Sequence, residues 1–265
     1  MMAWRIVSFL VLVNSSGMAV MADALPSTAP HADEIVQKVD REEGDAGLIR
    51  LMKGYDPDLV QKSVARIIQK LAGLKTKVLS PQLEKLNSSE KRKLMGLILD
   101  QANEDNTWIL VSALSKLSNV SDSQLFLSTY AGKAEGKRVA VLSMTRIAEE
   151  IDGEMGLFKL ATRTDLSTEF SVSAISRLVE KLASPSAKGS ALKSLSIGEK
   201  QTLIDKFLLS ANEKNLAMVA SSIAKLDRGG DIKEILNSFA GSSAGIVAAS
   251  RALNSLEPSR LQSVK

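Results

Sequence analysis

The sequence predicts an all-α protein in which two tandem copies of a helical-hairpin unit stack as an α-solenoid-like array. The segment 83–132 aligns without a gap with 192–241, an offset of 192 − 83 = 109 positions, and 17 of the 50 aligned pairs are identical. An ungapped match of this length indicates an internal duplication, and duplicated helical units are typical of stacked architectures. Apolar residues also recur with helical spacing, and runs with the alternation of strands are missing.

Stripes of apolar residues locate the individual helices. Between Val60 and Leu71 the apolar positions follow the spacing i, i+4, i+7, i+8 and i+11, which places them on one helix face. A second stripe occurs once in each copy, as Leu94, Met95, Ile98, Leu99 and Ala102 and then as Leu203, Ile204, Phe207, Leu208 and Ala211. Each stripe predicts an amphipathic helix that packs its apolar face against neighbours.

Short motifs predict where helices begin. Asn87 and Ser196 each stand three positions before a glutamate, a spacing that is typical of the capping box. Asp56-Pro57 and Ser80-Pro81 each predict an N-cap residue followed by proline in the first helical turn.

Glycines extend the duplication and predict helix ends. The pattern Gly44-x-x-Gly47 recurs 109 positions later as Gly153-x-x-Gly156, since 153 − 44 = 109. Gly132 and Gly241 are expected to close their helices in the left-handed conformation that glycine tolerates. We therefore divide the chain into a signal peptide (1–24), a flexible lead-in (25–35), repeat copy 1 (36–144), repeat copy 2 (145–256) and a polar tail (257–265).

Helix ends with a Lys-Leu type of pattern recur at intervals that suit helical hairpins. In this respect the chain resembles HEAT- and armadillo-type repeat proteins, and the resemblance implies a solenoid whose units bury their faces on one another. The intervals are irregular, and two globular helix bundles in series remain the alternative architecture.

The N-terminal residues predict secretion. Arg5 precedes the apolar run Ile6–Val13, and Ala22-Asp23-Ala24 has the small-x-small form of a signal-peptide cleavage site. The chain has no cysteine, which fits the bacterial periplasm or a reducing destination. We expect a secreted protein, extracellular or periplasmic, without a membrane span after cleavage, and delivery into a host cell stays open.

Composition argues against catalysis and nucleic-acid binding. The only histidine, His31, lies in the lead-in, so a Ser-His-Asp triad and a histidine metal cluster are not expected. Aromatic residues make up 4% of the chain and the net charge is +4, which is little for nucleic-acid recognition. The acidic pair Glu149-Glu150 is expected on a solvated helix face. We predict no enzyme activity, no cofactor and no metal.

The segment from Gly132 to Arg138 is similar to a phosphate-binding loop, but it has three residues between its glycines where the motif requires four. Copy 2 keeps both glycines, as Gly241 and Gly245, and replaces the lysines. The glycines are therefore interpreted as structural parts of a helix-to-helix corner.

Positions that differ between the copies are the candidate partner-binding residues: Trp108, Tyr130, Lys133, Lys137 and Arg138. Trp108 aligns with Ala217, and a tryptophan present in one copy serves either as core filler or as a binding anchor. The burial statistics of tryptophan favour core filler.

The layout also resembles secreted effectors of oomycete pathogens, which join a signal peptide, a short segment with an acidic-arginine cluster and tandem helical repeats. Asp40–Glu43 stands where that cluster would be, although the upstream Arg-x-Leu-Arg motif is absent. The predicted function is a secreted, non-catalytic protein–protein interaction module of adaptor or effector type. The alternatives are a host-directed virulence effector and a basic module for an anionic ligand; an enzyme that uses carboxylates alone is the least favoured.

Overall fold

The structure is a computed structural model that describes residues 31–75, 78–117, 121–184, 191–226 and 230–256. Every regular element within these residues is a helix, so the all-α prediction is confirmed. The predicted signal peptide, most of the lead-in and the polar tail lie outside the described residues.

The described residues form twelve α-helices and one short 3-10 helix. The first seven α-helices are α1 Ala32–Met52, α2 Pro57–Gly73, α3 Pro81–Glu84, α4 Ser88–Asp100, α5 Thr107–Leu117, α6 Ser121–Thr129 and α7 Ala134–Thr162. The 3-10 helix Ala191–Ser194 follows α8 Thr168–Ala183, and the chain continues with α9 Ile197–Leu209, α10 Leu216–Leu226, α11 Gly230–Ser238 and α12 Ser243–Leu256.

The helices of the two aligned segments have matching bounds. A shift of 109 positions carries both ends of α4 onto those of α9, since 197 − 88 = 109 and 209 − 100 = 109. The same shift relates α5 to α10 and α6 to α11. Leu94 of α4 and Leu203 of α9 are both fully buried, and so are the other residues of these two stripes apart from a small exposed fraction of Ala102 and Ala211.

The predicted N-terminal caps are confirmed. Asn87 and Ser196 each form a capping box, with the cap side chain accepting from the glutamate amide and the glutamate accepting from the cap amide. Asp56 caps α2 and Ser80 caps α3, and each is followed by proline at the start of the helix. These contacts satisfy amides that a helix start leaves without intrahelical acceptors.

The expected left-handed caps at Gly132 and Gly241 are wrong. Among the described residues the positive φ angles belong to Gly44 and Gly153, at 60° and 58°. Gly132 instead lies against a side chain: a Cβ there would lie 2.1 Å from the hydroxyl oxygen of Tyr130. The left-handed glycines instead break α1 and α7, and each continues beyond the break as a helix in a new direction.

Two helices cross boundaries of the predicted division of the chain. Helix α1 begins at Ala32, so the last four residues of the predicted lead-in are helical, and α7 runs through the predicted junction at 144/145. Residues from Ala32 onward form one compact unit. Within it the helices pack in the series α1–α2–α5–α7–α8–α10–α12, while α4 contacts α2, α5 and α7, and α9 contacts α7, α8, α10 and α12.

Candidate functional site

Helices α5, α7 and α8 surround a groove of about 800 Å³, which we call the Trp108 groove. Its lining consists of three apolar side chains, three hydroxyl side chains and six charged ones: Trp108, Val111, Leu142, Thr145, Ser173, Ser176, Arg146, Glu149, Glu150, Arg177, Glu180 and Lys181. The groove therefore combines one large aromatic surface with a dense set of charges.

Trp108 lies at the start of α5 and is 69% exposed, so the prediction that it fills the core is wrong. The rest of α5 explains this position. From Leu110 to Leu117 the helix is buried almost throughout, because it packs against α2, α4 and α7. Trp108 and its neighbour Ile109 are left on the open side of the helix, and Trp108 faces the groove.

The charges of α7 and α8 form ion pairs across the groove. The Glu149 carboxylate accepts from Arg177 Nε at 2.7 Å and from Lys181 Nζ at 2.9 Å. Within α7, Arg146 Nε donates to Glu150 at 2.8 Å. Glu150 is exposed, as expected for a solvated helix face, whereas Glu149 is only partly exposed. The cation that binds Glu150 lies one turn earlier in α7, and the two cations that bind Glu149 lie on the next helix, α8.

Glu149 is held in its ionised form. Burial raises the pKa of its carboxyl, but the hydrogen bonds and charges of Arg177 and Lys181 together outweigh burial and lower the pKa below its usual range. The first copy contains the same arrangement, since Asp40 of α1 accepts from Arg66 and Lys70 of α2, both at 2.7 Å. Asp40 and Glu149 are 109 positions apart (149 − 40 = 109), so the alignment of the copies could have identified this ion-pair cluster.

A second cavity continues the groove along α7 and α8. It measures about 680 Å³ and shares Leu142 and Ser173 with the Trp108 groove. Its other lining residues are Ala134, Lys137, Arg138, Val141, Thr168, Glu169 and Val172. We call the two cavities together the extended groove. It brings together three of the five candidate binding residues, Trp108, Lys137 and Arg138.

Tyr130 and Lys133 do not line either cavity and serve the end of α4. The Tyr130 hydroxyl donates to Asp100 Oδ1 at 2.8 Å, and Lys133 Nζ donates to the Asp100 carbonyl oxygen at 3.1 Å. Burial, reinforced by Asp100, raises the pKa of Tyr130 to about 12. These two residues tie the α6–α7 loop to the carboxyl end of α4.

The glycines of the loop that is similar to a phosphate-binding motif are structural, as interpreted from the sequence. A Cβ at Gly136 would lie 2.8 Å from the carbonyl oxygen of Leu99, and one at Gly245 would lie 2.7 Å from that of Leu208. Both contacts are with backbone, which cannot move aside cheaply. The glycines let α7 and α12 cross α4 and α9 at close range.

The cluster Asp40–Glu43 lies within helix α1. The resemblance to oomycete effectors implied a flexible segment at this position instead. Among the described residues no three His, Cys, Asp or Glu side chains are grouped as metal ligands. No helix within the described ranges has the length and apolar character needed to cross a membrane.

The described residues thus define an all-α protein with a charged groove along α7 and α8 and one exposed tryptophan. No protein-family model, curated protein or solved structure matches the chain.

Proposed function

We propose that this chain is a secreted, non-catalytic helical repeat protein that binds another protein through the extended groove. The observation that carries the proposal is the exposure of Trp108 at the start of a helix that is buried almost throughout from Leu110 to Leu117. Tryptophan is enriched among the residues that dominate protein–protein binding, because its large surface becomes fully desolvated in the complex. Copy 2 has Ala217 at the equivalent position, so this anchor belongs to copy 1 alone.

The charges of the groove favour recognition over catalysis. A general acid at neutral pH needs a raised pKa, whereas the pKa of Glu149 is lowered by Arg177 and Lys181. Both of these cations are occupied by the carboxylate, which also leaves less positive charge for an anionic ligand. Fixed ion pairs of this kind give an interface its register and its selectivity.

The repeat architecture and secretion are further parts of the proposal. The series of helix contacts and the equal helix bounds support an α-solenoid-like array, in which each unit contacts its neighbours. Secretion is supported by the signal-peptide pattern of residues 1–24. A secreted array of this type presents a long helical surface outside the cell or in the periplasm.

The test compares what the full chain captures from its native compartment when single exposed aromatic residues are changed. Trp108→Ala removes the proposed anchor and creates the residue that copy 2 already has. Tyr55→Ala is the matched control, because Tyr55 is fully exposed in the α1–α2 loop and lines neither cavity. Co-purifying proteins are quantified by mass spectrometry for each bait.

We expect at least one protein whose recovery falls about tenfold or more with Trp108→Ala and is unchanged with Tyr55→Ala, since anchor residues contribute upwards of 2 kcal/mol. Circular dichroism verifies that both variants melt like the parent chain. Equal recovery with both variants would show that the groove does not bind a partner.

A further inference from the structure

We infer that the extended groove receives an acidic amphipathic α-helix of the partner protein. This inference rests on the proposed function and specifies the chemistry of the partner. It follows from the length of the groove, the nature of its walls and the distribution of its unpaired charges.

The groove has the dimensions of a four-turn helix. On α7 its lining residues run from Ala134 to Glu150, which are 150 − 134 = 16 positions apart and span about 24 Å at 1.5 Å per residue. On α8 they run from Thr168 to Lys181, and the residue numbers on both walls rise together. The first part of α7 and α8 therefore lie side by side in the same direction, and the groove follows both axes.

Helical walls select a helical occupant. The ridges of side chains on α7 and α8 leave a furrow in which a third helix packs at ordinary interaxial distance. Strand addition requires an unpaired sheet edge, and the described part of the chain contains no strand. An amphipathic helix laid into a furrow between helices is the recognition mode that this surface fits.

The floor and rim supply apolar contacts along the whole groove. Trp108 lines the first cavity, Leu142 is shared by both cavities, and Val172 of α8 is 59% exposed in the second cavity. Side chains at i, i+4, i+7 and i+11 of a helical ligand would meet such a series on one face. The ligand therefore needs a stripe of three to four apolar residues. A 16-residue helix has about four turns and can present one such residue on each turn.

The unpaired charges favour an acidic ligand. In the Trp108 half of the groove the charges of Arg146, Glu149, Arg177 and Lys181 are consumed in ion pairs. In the other half, neither Lys137 nor Arg138 forms an ion pair with any described residue, and both are exposed. Glu169 is the one acidic side chain lining that cavity, so the cations are in excess there.

Comparison of the copies supports a role for this charge in recognition. Lys137 and Arg138 align with Ile246 and Val247 of α12, which are about half exposed. The fold therefore does not require cations at these positions. A basic pair that is present in one copy, in the half of the groove away from Trp108, suits a ligand with acidic residues at the end of its helix that lies in the second cavity.

The experiment selects peptides against the full-length protein. A displayed library of random 16-residue peptides is panned on the parent chain, with depletion on the Trp108→Ala variant, so that the survivors require the groove. We expect the survivors to share an apolar stripe of helical period and an excess of Asp and Glu. Affinities of synthetic survivors are then measured through Trp108 fluorescence in a Trp4→Phe chain, where Trp108 is the remaining tryptophan.

A charge exchange tests the assigned end of the groove. The double variant Lys137→Glu/Arg138→Glu should weaken the selected peptides about tenfold or more, and lysine-for-glutamate versions of the same peptides should recover most of this loss. The control Lys193→Glu/Lys214→Glu changes the net charge equally at two exposed lysines outside the groove, and it should alter affinity less than about threefold.

Two outcomes would overturn the inference. Survivors that are basic, neutral or without helical period would leave a Trp108-dependent binding site with a different occupant, so the proposed function would stand and the acidic helix would not. Equal weakening by both double variants would show a general response to net charge. Failure of the proposed function is recognised separately, as equal capture of native proteins by the Trp108→Ala and Tyr55→Ala baits.

Discussion

Lys225 of α10 donates from its ammonium group to the carbonyl oxygen of Ser184, at 2.6 Å, just beyond the last turn of α8. Lys116 of α5 makes the equivalent contact in copy 1, where its Nζ lies 2.8 Å from the carbonyl oxygen of Leu71 and 3.1 Å from that of Ala72. A helix end leaves its last carbonyl groups without intrahelical donors, and a lysine from the next helix supplies them in both copies.

The first prediction concerns this capping lysine. Lys116→Met keeps most of the apolar length of the side chain and removes the ammonium group, which leaves several carbonyl oxygens at the end of α2 without that donor. Since an unsatisfied buried polar group costs about 1–3 kcal/mol, we expect the free energy of unfolding in urea to fall by about 2 kcal/mol. Lys75→Met, at an exposed position just after α2, is the control and should change it by less than about 0.5 kcal/mol. Equal effects would show that the cap contributes nothing to stability.

The second prediction concerns the dependence of stability on pH. The pKa of Asp40 is lowered, because the bonds and charges of Lys70 and Arg66 together outweigh the raising effect of burial, and Glu149 is held low in the same way. A carboxyl whose folded pKa lies below its unfolded value contributes stability above the unfolded value, and this contribution is lost as the pH falls through the folded value. Asp40→Asn should therefore cost about 1–2 kcal/mol at pH 7 and less at pH 3, which lies below the unfolded pKa of about 4.

The measurement is the free energy of unfolding at pH 7 and at pH 3 for the parent chain, Asp40→Asn and Glu42→Gln. Glu42 is the control, because it is an exposed carboxylate of the same helix and has no ion pair among the described residues. A loss with Asp40→Asn that is the same at both pH values would rule out the ion-pair cluster as its source.

The third prediction concerns the glycine that breaks α7. Gly153 has φ 58°, and a Cβ there would meet no atom within 4 Å, so the cost of alanine is backbone strain alone. With ψ at −131°, Gly153 is in a backbone region that glycine adopts far more readily than other residues, so we expect Gly153→Ala to destabilise the protein by about 1–3 kcal/mol. Gly198 of α9 has equally open surroundings and no positive φ, so Gly198→Ala should instead stabilise by about 0.5–1 kcal/mol. The two melting temperatures should move in opposite directions, and a shift of both in the same direction would contradict the assigned backbone strain.

The sequence could predict the helices because their signals are local. Apolar stripes, capping boxes and N-terminal prolines depend on neighbours three or four residues away, and Leu94 and Asn87 have the burial and bonds that their spacing predicts. The role of a glycine is harder to predict. A neighbouring atom that leaves no room for a Cβ and a positive φ angle both select glycine, and the sequence does not distinguish them. Gly132 lies close to the Tyr130 side chain, whereas Gly44 and Gly153 have the positive φ angles.

The candidate site was only partly predictable because it depends on how distant helices pack. The difference between Trp108 and Ala217 identified the position, but its exposure follows from α2, α4 and α7 covering the other faces of α5. Burial statistics of tryptophan take no account of such an arrangement. The groove charges were visible only as helix-surface residues, and the pairing of Glu149 with Arg177 joins residues 28 positions apart.

The last prediction tests whether the two copies form an array. Leu94 of α4 and Leu203 of α9 are equivalent and fully buried, so truncation of either to alanine should cost about 2–5 kcal/mol through lost transfer energy and a cavity. In a solenoid each unit contacts only its neighbours, so the loss of structure caused by a substitution is confined to the substituted unit and the units next to it. Hydrogen exchange of Leu203→Ala should therefore show faster exchange in α9 to α12, while α2 and α4 stay protected. Leu94→Ala should lower protection more widely, because α4 contacts α2 and α5 on one side and α7 on the other, and α7 itself packs against α8 and α9. If either variant loses protection in all helices together, in one cooperative step, the copies share a single core, and one fused globular domain replaces the proposed array.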